Sequence, residues 1–258
     1  MLPRERIAEA IRARARGGEP ALVAFLTAGF PERERFRTDL ARVAAAADVV
    51  EIGVPFTDPM ADGMTIQRSS QEALRQGVTL QWILDELTAM PRVRAPLLLM
   101  SYLNPLLNYG YERLAAASMA AGVCGFIVPD LPLDESAGLR AALDPHGIAL
   151  VQMVTPVTPP ERLARLAAAS QGFVYAVTMT GTTGHSATTP AGVLDYLARV
   201  RAVAKVPVCA GFGIRSREQV QRLRGAVDGC VVGSALVEVL ERGESPQAWL
   251  DALRPGKA

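Results

Sequence analysis

The chain has few of the residues that most often carry covalent or metal chemistry. It holds two lysines, Lys205 and Lys257, and two histidines, His146 and His185, in 258 residues. Lys205 precedes an apolar run and Lys257 lies in the terminal tail, so neither is placed as a buried amine for a Schiff base. A lysine-bound pyridoxal phosphate is disfavoured on the same ground. No His, Cys, Asp or Glu cluster has metal-ligand spacing, which argues against a metal-dependent reaction. The cysteines Cys124, Cys209 and Cys230 are odd in number, widely spaced and without a CxxC pair, as expected for buried reduced thiols in a cytoplasmic protein. The Arg- and Glu-rich start, Met1 to Arg16, lacks the apolar core of a secretory signal. The stretch from Leu166 to Leu194 carries no charge, but Gly, Thr, Ser and Pro interrupt it too often for a membrane span. A net charge of +1 gives no pull toward nucleic acid or an anionic membrane. Pro/Gly/Ser linkers and low-complexity tracts are also missing, so one domain over residues 1–258 is expected.

Short apolar runs rich in β-branched residues are present, with helical patterns between them. Strands are expected near Leu22–Thr27, Val49–Gly53, Leu97–Ser101, Gly125–Val128, Ala149–Val154, Phe173–Val177, Val206–Ala210 and Gly229–Gly233. The runs are continuous rather than alternating, which suits parallel strands covered on both faces. Helix-start signals occur at Thr158-Pro159-Pro160-Glu161, with Thr158 as the cap, at Ser216-Arg217-Glu218-Gln219 and at Ser245-Pro246; Glu32–Ala46 also reads as helix. Residues 4–16 read as an extra helix plugging the bottom of the fold. Eight strands, each followed by a helix, predict a single-domain (β/α)8 TIM barrel with an extra N-terminal helix. An open doubly wound sheet is the second choice, weakened because no G-x-G-x-x-G follows the first strand.

In such a barrel, chemistry sits where strands end. Glycine-bearing segments follow strands six, seven and eight: Gly181-Thr182-Thr183-Gly184, Gly211-Phe212-Gly213 and Gly233-Ser234. Close backbone approach and a helix N-terminus are what a phosphate needs. Gly211, Gly213, Gly233 and Ser234 fit that place, with Gly184 closing it; the plainer reading is that these glycines only make tight turns. Glu51 ends an apolar strand, where a carboxylate must either face the mouth or bear a large desolvation cost. There its pKa is expected to rise, making it a general acid and base. Asp62 and Asp58 share the following loop. Glu51 and Asp62 read as catalytic, Asp58 and Asp130 as loop structure or partner contact. Phe25, Leu99, Ile127, Met153, Tyr175 and Phe212 fall near strand ends and predict a ligand with one flat or apolar end. Tyr102 and Tyr175 offer hydroxyls. What remains is cofactor-free acid–base chemistry on a small phosphorylated substrate.

These segments resemble a known family. The run Glu51-Ile52-Gly53-Val54-Pro55-Phe56-Thr57-Asp58-Pro59-Met60-Ala61-Asp62-Gly63 is similar to the signature of tryptophan synthase α subunits. So, in the family's order, are Tyr102-Leu103-Asn104-Pro105, Val128-Pro129-Asp130-Leu131-Pro132, Gly181-Thr182-Thr183-Gly184 and Gly211-Phe212-Gly213-Ile214. The resemblance implies a cytoplasmic barrel lyase that cleaves indole-3-glycerol phosphate to indole and glyceraldehyde 3-phosphate. It implies Glu51 as acid/base, Asp62 as acceptor of the indole N–H, and Tyr175 as the residue that positions Glu51. Phe25, Leu99, Tyr102, Ile127, Tyr175, Thr183 and Phe212 would contact substrate. Gly184, Gly213, Gly233 and Ser234 would hold its phosphate. The implied partner is a β subunit in an α2β2 heterotetramer, which carries the pyridoxal phosphate; this chain would carry no cofactor. The loops of Asp58 and Thr183 would close on substrate and signal to that partner. His185-Ser186 after Gly184 departs from the family's usual Ala-Arg. Other readings are a stand-alone lyase of the same reaction, a catalytically weak paralogue that activates a partner, or a different phosphate-binding barrel.

Overall fold

The computed structural model describes residues 1–178, 191–211 and 213–254. Eight parallel strands close on themselves in sequence order. They are β1 (Ala21–Thr27), β2 (Val49–Gly53), β3 (Leu97–Met100), β4 (Val123–Ile127), β5 (Ala149–Val154), β6 (Val174–Val177), β7 (Val208–Gly211) and β8 (Gly229–Val232). Closure rests on β1 pairing β8, Ala21 opposite Gly229 through Ala24 opposite Val232, which rules out the open sheet. Edges differ from the sequence expectation by two residues at most: β4 begins at Val123, and β7 runs Val208–Gly211.

The helices are α1 (Pro3–Arg16), α2 (Phe36–Ala46), α3 (Met64–Arg75), α4 (Leu80–Ala89), α5 (Leu103–Tyr109), α6 (Tyr111–Ala121), α7 (Ala137–Leu143), α8 (Pro160–Ala169), α9 (Ala191–Val203), α10 (Arg217–Arg222), α11 (Ser234–Glu241) and α12 (Pro246–Leu253). Among the described residues no helix is long and apolar enough to cross a membrane. At the start of α12, Ser245 accepts the Ala248 N–H at 3.2 Å and Pro246 takes the first helical position. Before α10, Gln219 Oε1 accepts the N–H of Ser216 at 3.1 Å and that of Arg215 at 2.6 Å. Thr158 does not cap α8. Its hydroxyl turns back to accept the Thr155 N–H at 3.0 Å, and Pro159 holds the N-cap position. A local turn outcompetes the cap here, a known habit of threonine.

The continuous apolar runs divide by strand period. One set, including Leu22, Ile52, Leu99, Phe126, Leu150, Val174 and Val232, faces the helices. The other, including Val23, Val49, Leu98, Ile127, Val151, Phe173, Cys209 and Val231, fills the barrel. Ile7 and Ile11 of α1 join this inner set with no solvent exposure, so the N-terminal helix closes the floor as expected. Burying each isoleucine contributes roughly 1.5–3 kcal/mol. Three residues that precede strands clamp the strand before them. Asp48 accepts the Leu22 N–H at 2.8 Å, Asp228 the Val208 N–H at 2.8 Å, and Gln171 the Leu150 N–H at 2.9 Å. They satisfy main-chain donors at the floor and fix where each strand begins. Cys124, Cys209 and Cys230 are buried and free.

Candidate active site at the barrel mouth

Glu51 lies in β2 opposite Phe25 of β1 and Leu98 of β3. It is 1% exposed, and its Oε2 has no hydrogen-bond partner among the described residues. Burial first, and then the negative charge of Asp62, push its pKa up to about 8. A buried carboxyl on an apolar strand, with an oxygen left unpaired, is costly to fold and is therefore a functional candidate.

Asp62 sits before α3 on the loop that leaves β2. Its Oδ2 accepts a hydrogen bond from the Tyr102 hydroxyl at 3.1 Å, and that hydroxyl accepts the Ala61 N–H at 2.9 Å. Burial raises the Asp62 pKa to about 6, and the Tyr102 bond works the other way. Gln67 donates to the Asp62 carbonyl at 2.9 Å and pins the loop to α3. Tyr102 is itself fixed by stacking on Phe56, with ring centres 4.9 Å apart. Near neutral pH the site thus holds one protonated carboxyl, Glu51, and one ionised carboxylate, Asp62. Environment alone divides two carboxylates into acid and base roles.

Tyr175 of β6 belongs to the inner set, and its hydroxyl pKa is pushed well up by burial and then by Glu51 and Asp62. A Cβ placed on Gly211 would fall 2.8 Å from the Tyr175 hydroxyl oxygen. The absence of a side chain at 211 is therefore what admits the tyrosine, and the Gly211 carbonyl accepts the Thr178 hydroxyl at 2.5 Å. Gly53 plays the same part for Phe25, whose Cζ would lie 2.5 Å from a Cβ there. Phe25 packs with Phe30, Val237, Ile66 and Met100. Ile127 and Met153 face inward on β4 and β5.

Leu99 does not belong to this pocket. It is fully buried between sheet and helices, beside Ile52 and Phe126, and its neighbours Leu98 and Met100 face the interior. Four apolar residues in a row hide the phase of the strand; its register to β2 puts Leu98 level with Glu51, so odd positions of β3 point outward. Met100 is the mouth residue that sequence reasoning missed, together with Ile66 and Phe56.

The phosphate candidates fall partly within the described residues. Gly233 is the N-cap of α11, and Ser234 and Ala235 open the helix with N–H groups that have no intrahelical acceptor. Gly233 is also open to the mouth, since a Cβ there would meet nothing closer than Phe25 at 3.8 Å. Gly213 follows β7 with φ of +62°, a conformation that favours glycine. Thr183, Gly184, His185 and Phe212 lie outside the described residues, as do Met179 and Lys257. Asp130 is an anchor: its Oδ1 accepts the Leu103 N–H at 2.9 Å at the start of α5. Asp58 accepts the Thr57 hydroxyl at 2.5 Å and is exposed. No group of three or more metal-ligating side chains occurs among the described residues.

Comparison with known proteins gives one consistent result. The family model described as "Tryptophan synthase alpha chain" matches residues 11–254. A tryptophan synthase alpha chain from Nitratidesulfovibrio vulgaris is 46% identical over 249 residues, covering 96% of this chain and 97% of that protein. A chain of Mycobacterium tuberculosis tryptophan synthase superposes with a TM-score of 0.88 at 34% identity, covering 97% of this chain and 99% of that one. The tryptophan synthase subunit alpha of Legionella pneumophila superposes with a TM-score of 0.87 at 28% identity, covering 98% and 97%.

Proposed function

This chain belongs to the tryptophan synthase alpha chain family, and on that premise we propose how its own residues carry out the reaction. The reaction itself is a lyase cleavage of indole-3-glycerol phosphate in tryptophan biosynthesis. The carbon–carbon bond between the indole ring and the glycerol chain breaks, yielding indole and glyceraldehyde 3-phosphate. A proton must reach the ring carbon that loses its substituent, and another must leave the hydroxyl that becomes the aldehyde.

Glu51 handles these protons. Its buried carboxyl is protonated near neutral pH, so it can deliver a proton to the ring carbon and then, as a carboxylate, take one from the hydroxyl. General acid–base help of this kind is worth about 10²–10⁴ in rate. Asp62 accepts the indole N–H, placing negative charge where the ring becomes positive. Tyr175, admitted by Gly211, holds Glu51 in line. Phe25, Ile127 and Tyr102 hold the ring, with Met100 in place of Leu99. Gly213, Gly233 and Ser234 take the phosphate, joined by Gly184; Thr183 and Phe212 complete the substrate contacts. The scheme assigns no cofactor to this chain. The observation that carries it is a Glu51 carboxyl buried in the mouth, its Oε2 unpartnered among the described residues, facing the charge of an Asp62 that Tyr102 holds at 3.1 Å.

The partner of this reading is a tryptophan synthase β subunit in an α2β2 assembly, which would hold the pyridoxal phosphate. Exposed apolar side chains on three rim segments support a docking face: Met60 at 87%, Leu107 at 50% and Val157 at 77% exposure. Cytoplasmic placement belongs to the same reading, and the buried free thiols support it. The test is indole release from indole-3-glycerol phosphate by the purified chain, alone and with a β subunit. No release in either case rejects the reading. High turnover alone, unchanged by β, favours a stand-alone lyase.

A further inference from the structure

Two rim segments carry the described phosphate candidates: the turn after β7, with Gly213, and the start of α11, with Gly233 and Ser234. One ion pair joins them. Arg215 Nη1 donates to Glu238 Oε2 at 2.7 Å and Nη2 to Oε1 at 2.8 Å, so the guanidinium fork takes both carboxylate oxygens. Arg215 follows Gly213 by two residues, and its own N–H is held by Gln219 at 2.6 Å. Glu238 lies four residues into α11 from Ser234, on the same helix face, and helical side chains lean toward the N-terminus. The helix is also tied to α3, which follows the Asp62 loop. Arg68 lies 2.6 Å from Glu241, and the Thr65 hydroxyl lies 3.4 Å from Glu238 Oε1.

We propose that Arg215 and Glu238 are positioning residues for the substrate phosphate, their fork fixing the distance and angle between the Gly213 backbone and the N-terminus of α11 so that both aim at one anion. The inference rests on the phosphate reading given above. A bidentate pair restrains rotation as well as separation, which a single hydrogen bond does not. The pair also solves an electrostatic problem. A carboxylate one turn from an anion site repels the anion unless a cation neutralises it. Consistent with a formed pair, Arg215 holds the Glu238 carboxyl below its usual range. Neither side chain is required to touch the phosphate.

The experiment is steady-state indole release with inorganic phosphate as competitor, on folded variants whose thermal melts match the parent. Arg215→Ala is expected to raise KM and the phosphate inhibition constant about fivefold with kcat within about twofold, because it removes binding common to ground and transition states. Glu238→Gln in the Arg215→Ala background is expected to recover about threefold of that loss by removing the repulsion. The exchange Arg215→Glu with Glu238→Arg is expected to return KM to within about threefold of the parent. Unchanged KM and inhibition constant in Arg215→Ala, or a fall in kcat alone, overturns the proposal. Ser234→Asp separates the two layers of the argument. If it abolishes phosphate competition while Arg215→Ala does nothing, the positioning role fails and the grip stands. If it too leaves competition unchanged, the grip itself is misplaced.

Discussion

The Tyr102 hydroxyl points its proton at Asp62 across 3.1 Å and fills its own lone pair with the Ala61 N–H. The bond selectively stabilises the ionised form of Asp62 and opposes the rise that burial imposes. Tyr102→Phe removes it, so the Asp62 pKa moves above 6. The acid limb of kcat/KM is expected to shift to higher pH by up to about one unit. A pH–rate profile that does not move detaches Tyr102 from the titration.

Asp62→Asn acts on the other limb. Its charge is one of the two causes that raise Glu51, so its loss lets the Glu51 pKa fall. The alkaline limb is expected to move down in pH, alongside a lower kcat from loss of the charge facing the ring. The same pH series reads both effects, and an alkaline limb that stays in place breaks the link between the two carboxylates.

Glu51→Gln should abolish cleavage, with a loss of at least about 10²-fold, while leaving phosphate competition nearly intact. It should also stabilise the fold at alkaline pH. A carboxyl whose pKa is raised from 4.5 to about 8 by folding binds protons more tightly in the folded state. Its destabilising contribution is absent below about pH 4, grows as pH rises, and is complete above about pH 8. Unfolding free energies of the parent and Glu51→Gln should therefore nearly coincide at pH 4.5 and diverge toward pH 8.5, by on the order of 5 kcal/mol. A constant gap would place the burial cost elsewhere.

Gly211→Ala puts a methyl group 2.8 Å from the Tyr175 oxygen and 3.0 Å from its Cε1. Overpacking of this kind costs about 1–3 kcal/mol and would tilt the ring away from Glu51. Adding Tyr175→Phe relieves the shortest contact, so the double variant should melt higher than Gly211→Ala alone. If it melts no higher, the clash is being relieved by backbone movement instead.

In the proposed α2β2 assembly, replacing Leu107 and Val157 with aspartate should weaken β-dependent stimulation of indole release by about five- to thirtyfold and spare the activity of the isolated chain. Titrating the β subunit against each variant measures it. Equal stimulation would move the docking face off these segments.

Much of this was legible in the sequence, for identifiable reasons. Apolar runs broken by helix-start signals reveal a parallel barrel because both strand faces are buried. Glu51 stands out because a carboxylate on such a run has few structural excuses. Leu99 misled because Leu97-Leu98-Leu99-Met100 is apolar at every position, and only pairing with β2 sets which side faces in. Glycines 53 and 211 were visible as residues, but the aromatic groups that occupy their missing side chains come from other strands. Arg215 and Glu238 sit in different segments, and nothing local in either announces the fork between them. Thr158 failed as a cap because a turn through Thr155 satisfied it first.

The floor formed by Ile7 and Ile11 has a consequence for traffic. The barrel is a blind well, filled from below by Val23, Val49, Phe173 and their neighbours. Among the described residues, these side chains pack the axis of the barrel. Substrate and both products then share one rim, so a partner seated there would stand in the doorway.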